Sequence, residues 1–275
     1  MKRIATLCML TVIATAAIAD GASAQTSYVR YEQAGDISWG ELDGSTIHQL
    51  SDAPYLGGTR TGRTTMESAV TMKAPVDPTL VFMTALNFRS SISGTPAEYP
   101  GLFTVPASSI IGPGEYIVRP VGSENLHYEA EMVVVIGKRA VNVSPEDAPD
   151  YIFGVAAGND VTERAWQGTD VQWVRAKGTR GFNAVGPVLV AGLDYTHLQI
   201  EGRLNGEVRQ EENSSDLIFD MDHMVSYISK YFTLAPGDLI WSGTMGSTRA
   251  MEPGDVYEVE IEGVGILRNQ VVQGH

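Results

Sequence analysis

The sequence of 275 residues contains a single cysteine, Cys8, which lies in the apolar N-terminal run and not in the main body of the chain. The rest of the protein therefore has no thiol for catalysis and no disulfide. Basic residues are also few, with 19 Lys and Arg against 33 Asp and Glu, for a formal net charge of -14. Nucleic acid is excluded as an expected partner, because phosphate binding needs a basic patch and the sequence has none.

Residues 1–24 have the pattern of a secretory signal peptide. Lys2 and Arg3 precede an apolar run over 4–19, and Ala22-Ser23-Ala24 is a small-residue cleavage pattern before Gln25. The apolar run is shorter than the ~20 residues that a bilayer requires, which disfavours a membrane anchor. We therefore expect a secreted or periplasmic protein that has no membrane contact after cleavage.

The remaining sequence predicts an α+β protein that is mostly β. Helical spacing of apolar residues is limited to 145–151 and 220–231. Alternating apolar and polar residues and the hairpin signal Asp43-Gly44 predict a small N-terminal β region over 25–72. Within this region, residues 61–72 could form one short helix. The main domain is expected over 73–275. The predicted strands are 80–87, 132–136, 187–190, 239–242 and 257–261.

Two acidic residues lie directly before the most apolar of these strands, in the stretch Glu129-Ala130-Glu131. Residues two apart in a strand project from the same face, with about 7 Å between their Cα atoms. The pair is either a solvated edge without a function or part of a pocket. Asp160, which ends the apolar segment 152–157, offers a third carboxylate. Gathered carboxylates must share protons, pair with cations or bind a metal, and oxygen ligands favour Mg²⁺, Mn²⁺ or Ca²⁺ over zinc.

The sequence resembles the fumarylacetoacetate hydrolase family over about residues 75–272. Each motif is weak alone, but seven occur in the family's order, and together they are specific. They are Glu129-Ala130-Glu131, the segment Asn159-Asp160-Val161-Thr162-Glu163-Arg164-Ala165-Trp166-Gln167, Lys177, Gly186-Pro187, Asn205-Gly206 with Gln210, Pro236-Gly237-Asp238 and Gly243-Thr244. The resemblance implies a fold of rolled mixed β-sheets with a few short helices.

The resemblance also implies the roles of the site residues. Glu129, Glu131 and Asp160 would bind one divalent metal, most simply Mg²⁺, and the substrate would be a 2-oxo or 2,4-dioxo acid that chelates the metal. Such a metal stabilises an enolate, the common intermediate of C–C hydrolysis, decarboxylation, hydration and tautomerisation. The catalytic residues carried over are Lys177, Arg164, Gln167 and Thr244. Family members are commonly homodimers, and we expect the same here.

Two departures from the family pattern bear on the reaction. The lid dyad that activates water has a His and a Glu, and the corresponding positions here are Ser91 and Gly94. A serine hydroxyl does not accept a proton near neutral pH, whereas an imidazole with a pKa of ~6.5 does. His127 and Glu98 are the candidates to replace this base. The second departure is Met245, which replaces the proline that usually follows Gly-Thr.

The sequence therefore leaves three functions open. The family default is a metal-dependent hydrolase that cleaves a C–C bond of a 2,4-dioxo acid of the acylpyruvate or fumarylacetoacetate type. Because the dyad is missing, the second possibility is a non-hydrolytic lyase or isomerase, namely an oxo-acid decarboxylase, hydratase or tautomerase; decarboxylation and isomerisation need chiefly the stabilised enolate. The third possibility is an oxo-acid binder without catalytic activity.

Overall fold

The computed structural model describes residues 25–275, and the predicted signal peptide with Cys8 lies outside these residues. Over 25–275 the chain forms nineteen β-strands, three short α-helices and six 3₁₀ turns. No helix in this part of the chain is long and apolar enough to cross a bilayer. The protein is thus mostly β, as the sequence predicts.

The strands are numbered in chain order, and the longest of them have nine residues. The N-terminal region and the first part of the main body contribute β1 (Thr26–Gln33), β2 (Asp36–Asp43), β3 (Thr46–Leu50), β4 (Arg60–Met66), β5 (Thr71–Lys73), β6 (Val81–Ala85), β7 (Gly101–Thr104), β8 (Ile110–Ile111), β9 (Ile117–Arg119) and β10 (Leu126–His127). The remainder are β11 (Ala130–Ile136), β12 (Ile152–Asp160), β13 (Thr162–Glu163), β14 (Asn183–Ala191), β15 (Gln199–Leu204), β16 (Glu207–Asn213), β17 (Leu239–Trp241), β18 (Val256–Ile261) and β19 (Gly265–Gln273).

The helices are α1 (Arg164–Gln167), α2 (Val174–Gly178) and α3 (Met221–Ser229). Helix α3 is the segment predicted over 220–231, and Asp220 caps it by accepting a hydrogen bond from the His223 amide. The 3₁₀ turns are Pro54–Leu56, Glu67–Ala69, Arg89–Ser91, Ala107–Ser109, Ala148–Tyr151 and Ser214–Asp216.

One large sheet forms the body of the molecule. Ten of its strands follow the order β4-β3-β2-β1-β14-β12-β11-β17-β6-β7, while β5 pairs with β1 and β8 pairs with β14. Most neighbours are antiparallel, but the pairs β17–β6 and β14–β8 are parallel, so the sheet is mixed. The N-terminal strands belong to this sheet, because β1 pairs with β14 from Thr26 opposite Ala191 to Tyr28 opposite Leu189.

A second sheet with the order β16-β15-β18-β19-β9 covers the middle of the first. The core between them contains Met132 and Val134 of β11 together with Ile200, Val259 and Ile261 of the second sheet. The opposite face of β11, with Val133 and Val135, packs in another apolar cluster that includes Trp241. Strand β11 is therefore buried on both faces, which explains its continuous apolar run.

Each of the five predicted strands lies at a strand of the structure, and the turn at Asn205-Gly206 joins β15 to β16 with both residues at positive φ. The helix allowed for 61–72 is wrong, because 60–66 form β4 and 71–73 form β5. The predicted helix over 145–151 is reduced to a 3₁₀ turn at Ala148–Tyr151. Helices α1 and α2 had no predicted counterpart, since four or five residues are too few to show a helical period.

Candidate metal centre

Three neighbouring strands bring the predicted metal ligands together. The pairing of β11 with β12 places Ala130 opposite Asn159 and Glu131 opposite Gly158, and the Asp160 amide donates to the Glu129 carbonyl over 3.0 Å. Within Glu129, Glu131 and Asp160, one carboxylate oxygen of each residue lies within 4.8 Å of the others. The next strand, β14, places Asn183 opposite Asp160.

These carboxylates are buried and are joined by two cations. Lys177, which is only 3% exposed, places its Nζ 2.5 Å from Glu129 Oε2 and 2.5 Å from Asp160 Oδ2. Arg164 forms an ion pair with the other oxygen of Glu129. Glu131 instead accepts a hydrogen bond from the Gly243 amide at 2.9 Å, and no Lys or Arg side chain of residues 25–275 forms an ion pair with it.

The titration of the three acids reflects this unequal pairing. Burial opposes ionisation of Glu129, but Lys177 and Arg164 outweigh it and lower the pKa of that carboxyl. Burial, with the charges of Asp160 and Glu129, raises the pKa of Glu131 well above its ordinary value. Burial also raises the pKa of Asp160, to about 7, although Lys177 acts in the opposite direction.

The residues present fit a hard divalent metal ion. Three buried carboxylates face only two cationic side chains, so a dication would supply the positive charge that Glu131 lacks. Asn183 adds to this evidence, because its Nδ2 donates to Asp160 Oδ1 over 3.1 Å while its own Oδ1, which is buried, has no hydrogen-bond partner. An unpaired amide oxygen beside a carboxylate cluster is suited to accept a hydrogen bond from water at the centre.

Two glycines permit this close packing. Gly243 has a φ of +82°, and a Cβ at this position would lie 2.9 Å from the Thr84 carbonyl oxygen. This conformation directs the Gly243 amide to Glu131. Gly158 lies opposite Glu131, and a Cβ there would come within 2.5 Å of the Trp241 ring. Only glycine therefore fits at these two positions without displacing strands beside the acids.

The centre borders the floor of a cavity of about 360 Å³, and neither Glu131 nor Asp160 is among the lining residues of this cavity. Lys177 and Glu129 reach this floor, and Arg164 and Gln167 of α1 line the wall. Arg164 donates to Gln167 Oε1 at 2.8 Å and to Thr248 Oγ1 at 3.0 Å, so the guanidinium has a fixed orientation. The two aromatic lining residues, Phe103 and Trp173, make an edge-to-face contact at 5.3 Å.

Thr244 also lines the cavity, but its hydroxyl is engaged within the protein. It donates to the Ala130 carbonyl over 2.9 Å and accepts from Gln210 Nε2 over 2.8 Å. Gln210 in turn accepts from the Ala130 amide at 2.9 Å and from the Tyr257 hydroxyl at 2.7 Å. Thr244 and Gln210 thus fix the start of β11, where the acids lie.

The two residues considered as replacement bases lie elsewhere. His127 is not part of the cavity lining, and its ring nitrogens contact Thr248 Oγ1 at 2.8 Å and Asn125 Oδ1 at 2.9 Å. Burial and the charge of Arg164 lower the pKa of His127 to about 4. Glu98 is exposed and also lies outside the lining. Ser91 does line the cavity, but its hydroxyl donates to the Thr244 carbonyl at 2.6 Å.

Sequence reasoning missed three residues that shape the site: Asn183 beside Asp160, Thr248 beside Arg164, and Trp173 in the cavity wall. The polar residue Asn183 at the start of an apolar strand was a usable signal, because a buried amide needs partners. Thr248 and Trp173 lie in irregular segments whose sequences carry no such signal.

Known protein families and structures resemble this chain over most of its length. The profile described as "Fumarylacetoacetate (FAA) hydrolase C-terminal" matches residues 81–272, and the profile "Rv2993c-like, N-terminal" matches residues 27–75. An uncharacterized protein of Methanocaldococcus jannaschii is 41% identical over 199 residues, which are 71% of this chain and 84% of that protein.

Two further relatives have names that describe a reaction. The crystal structure of 2-hydroxyhepta-2,4-diene-1,7-dioate isomerase from Mycobacterium marinum matches with a TM-score of 0.84 and 33% identity, covering 90% of this chain and 98% of that one. The 4-hydroxyphenylacetate degradation bifunctional isomerase/decarboxylase of Escherichia coli is 37% identical over 70% of this chain and 46% of its own length.

Proposed function

The chain belongs to the fumarylacetoacetate hydrolase family, and from this premise we propose that it is a divalent-metal-dependent enzyme that converts a 2-oxo or 2,4-dioxo acid through its enolate. One observation carries the proposal. Glu129, Glu131 and Asp160 converge in one buried cluster, which reaches a cavity through Glu129, and the wall of that cavity presents Arg164 and Gln167. A metal at this floor would bind the keto oxygen of a 2-oxo acid, and the Arg164 guanidinium in the wall would bind its carboxylate.

Bound by the three carboxylates, Mg²⁺, Mn²⁺ or Ca²⁺ would act as a Lewis acid on the 2-oxo group and stabilise the negative charge of the enolate. The protein supplies the other contacts. Burial acts to lower the pKa of Lys177, but the neighbouring Asp160, Glu129 and Glu131 outweigh burial and raise this pKa above its ordinary value. The ammonium group therefore stays charged beside the reacting centre. Arg164, held by Gln167 and Thr248, is placed to bind the substrate carboxylate.

The geometry favours a reaction without an attacking water. Hydrolysis needs a general base, and the cavity lining within residues 25–275 contains no His. Its only carboxylate is that of Glu129, whose pKa is lowered by Lys177 and Arg164 against the effect of burial, which makes it a weak base. We therefore place decarboxylation of an oxo acid first, because it needs no base to form the enolate; keto–enol isomerisation, which must move a proton, and C–C hydrolysis of a 2,4-dioxo acid follow.

The test is a panel of 2-oxo and 2,4-dioxo acids incubated with the protein and Mg²⁺, with products identified by mass. Loss of CO₂ identifies a decarboxylase, an unchanged mass with a changed ultraviolet spectrum identifies an isomerase, and an added water identifies a hydrolase. Turnover should disappear with chelator and in Glu131→Ala, while the control Glu98→Ala, at an exposed residue outside the cavity, should keep it.

Absence of turnover on the whole panel, with metal-dependent binding preserved, would contradict the enzymatic proposal and leave an oxo-acid binder. We also propose that the protein is secreted and that it forms a homodimer. The signal-peptide pattern of residues 1–24 supports secretion, and the homodimers that are common in the family support the dimer. Cell fractionation tests the first, and sedimentation of the purified protein tests the second.

A further inference from the structure

The metal cavity continues into a second, larger cavity of about 650 Å³. The two share Ala85, Leu86, Ser91 and Trp173 as common lining residues. We call the second cavity the apolar annex and define it by Leu86, Ile92, Tyr99, Trp173, Ile218 and Phe219. The two cavities therefore adjoin, and a tail that extends past these shared residues from a head group on the metal floor enters the annex.

The annex differs from the metal cavity in charge. No residue that lines it within 25–275 is charged, and its polar lining residues are neutral hydroxyl groups. A carboxylate in the annex would find no cationic partner among the lining residues, whereas Leu86 and Tyr99, which are 65% and 59% exposed, leave apolar surface that a ligand can cover. An alkyl or aryl group would instead exchange water for apolar contacts. The name of the Mycobacterium marinum relative specifies a dioate, a substrate with two carboxylates.

Backbone strain is concentrated where the two cavities meet. Leu86 and Trp173 each have a φ of +55°, although neither is glycine, and both line both cavities. A bulky residue in this conformation costs about 1–2 kcal/mol. Leu86 is also 65% exposed, which is unusual for a large apolar side chain in a strained position. Strain of this kind persists at sites where side-chain placement has a function.

The annex is attached to the metal floor by Asn87. Its Nδ2 donates to the Phe219 carbonyl at 2.9 Å and to the Ser242 carbonyl at 2.8 Å, and its Oδ1 accepts from the Phe219 amide at 2.9 Å. Phe219 lines the annex, and Ser242 precedes Gly243, whose amide binds Glu131. The floor and the annex wall therefore have a fixed relative position.

We propose that the annex is the subsite for the substrate's tail, and that this tail is an uncharged alkyl or aryl group and not a second carboxylate. The proposal rests on the proposed function, because it assumes that a 2-oxo acid head group lies on the metal floor. It adds the substrate class: a 2-oxo or 2,4-dioxo acid with one carboxylate, at the head, and an apolar far end.

The first experiment measures binding, so that it does not depend on which reaction occurs. Calorimetry with Mg²⁺ present compares pyruvate with straight-chain 2-oxo acids of four to eight carbons. We expect binding to tighten roughly fourfold with each methylene that enters the annex. Equal affinity across the series would overturn the proposal. Absence of metal-dependent binding of pyruvate itself would instead contradict the proposed function, so the two failures are distinguishable.

The second experiment changes the charge of the annex. Ile92 lines the annex but not the metal cavity and lies in a loop, so Ile92→Arg places a guanidinium beside the tail without altering the floor. The ligands are two 2-oxo acids of equal length, one ending in a methyl group and one in a carboxylate. Wild-type protein should prefer the methyl end by about tenfold. Ile92→Arg should bind the carboxylate end about tenfold more tightly than wild type does.

Ile92→Met is the matched control and should keep the wild-type preference, and thermal unfolding of all three proteins establishes that they are folded. A wild-type preference for the carboxylate end would overturn the proposal. So would an Ile92→Arg variant that changes its oligomeric state in sedimentation but not its ligand preference, because the annex would then be a contact between two copies of the chain.

Discussion

The metal floor and the apolar annex meet at Leu86 and Trp173, yet they are built in opposite ways. The floor lies at the ends of β11, β12 and β14, where Lys177, Arg164 and backbone amides hold the carboxylates in place. The annex lies on irregular segments, contains no charge within the described chain and includes strained backbone. Regular strands can hold reacting groups in a fixed geometry, whereas loops can change the substrate without disturbing the chemistry.

Removing Lys177 should have the largest effect, because two buried carboxylates lose their common partner. We expect Lys177→Met to destabilise the metal-free protein by about 3–5 kcal/mol and to abolish turnover. Chemical denaturation measures the first effect. Arg175→Met is the matched control on the same helix, where the exposed pair with Asp170 should leave the unfolding midpoint unchanged. An equal response of both variants would mean that Lys177 is only a surface cation.

Glu131→Gln should act in the opposite direction on stability. The pKa of Glu131 is raised well above its ordinary value by burial, Asp160 and Glu129, so the ionised form is disfavoured in the folded state. Its contribution to stability is therefore lost as pH rises from about 4.5 through the folded pKa. Without metal at pH 8, we expect Glu131→Gln to be more stable by about 1 kcal/mol or more. Lower stability than wild type would contradict the charge imbalance.

The same substitution should weaken metal binding, since it removes an anionic ligand. We expect the Mg²⁺ affinity of Glu131→Gln to fall at least about a hundredfold. Titration calorimetry measures this change, and Glu98→Gln, outside the cavity, should bind Mg²⁺ like wild type.

Metal affinity should also depend on pH, which sharpens the contrast with the uncharged annex. Burial raises the pKa of Asp160 to about 7 in the metal-free protein, and the bound metal requires the carboxylate form. Protons therefore compete with the metal, and affinity should fall roughly tenfold for each pH unit below 7 for one displaced proton. Calorimetry in two buffers of different ionisation enthalpy counts the protons released, and a count of zero would contradict this expectation.

The smallest expected effect concerns the annex. Leu86→Gly relieves the positive φ and removes one apolar wall, so we expect weaker binding of long-tailed 2-oxo acids, by about tenfold, and unchanged binding of pyruvate. Thermal unfolding should show no loss of stability, in contrast to Lys177→Met. If pyruvate binding weakened equally, Leu86 would act on the metal floor and not on the tail.

The parts of the fold that the sequence predicted are those set by local pattern. The continuous apolar run of β11 required burial on both faces, and Asn205-Gly206 required a tight turn. The helix allowed for 61–72 failed because pairing with β3 decides that segment, and such pairing is absent from local propensity. At the site, the motif order predicted which residues matter, but it did not predict that the hydroxyl of Thr244, one of the residues carried over as catalytic, is engaged by Gln210 and Ala130.

The sequence by itself determined that two acids lie at the start of a strand buried on both faces, because the continuous apolar run that follows them has no other stable environment. It also determined the family, through the order of its motifs. The tertiary structure alone decided that Lys177 bridges Glu129 and Asp160 while Arg164 pairs with Glu129, that Ser91 binds the Thr244 carbonyl, and that an uncharged annex adjoins the floor. These contacts join segments up to about 150 residues apart, and their geometry depends on strand register and loop conformation, which local sequence does not encode.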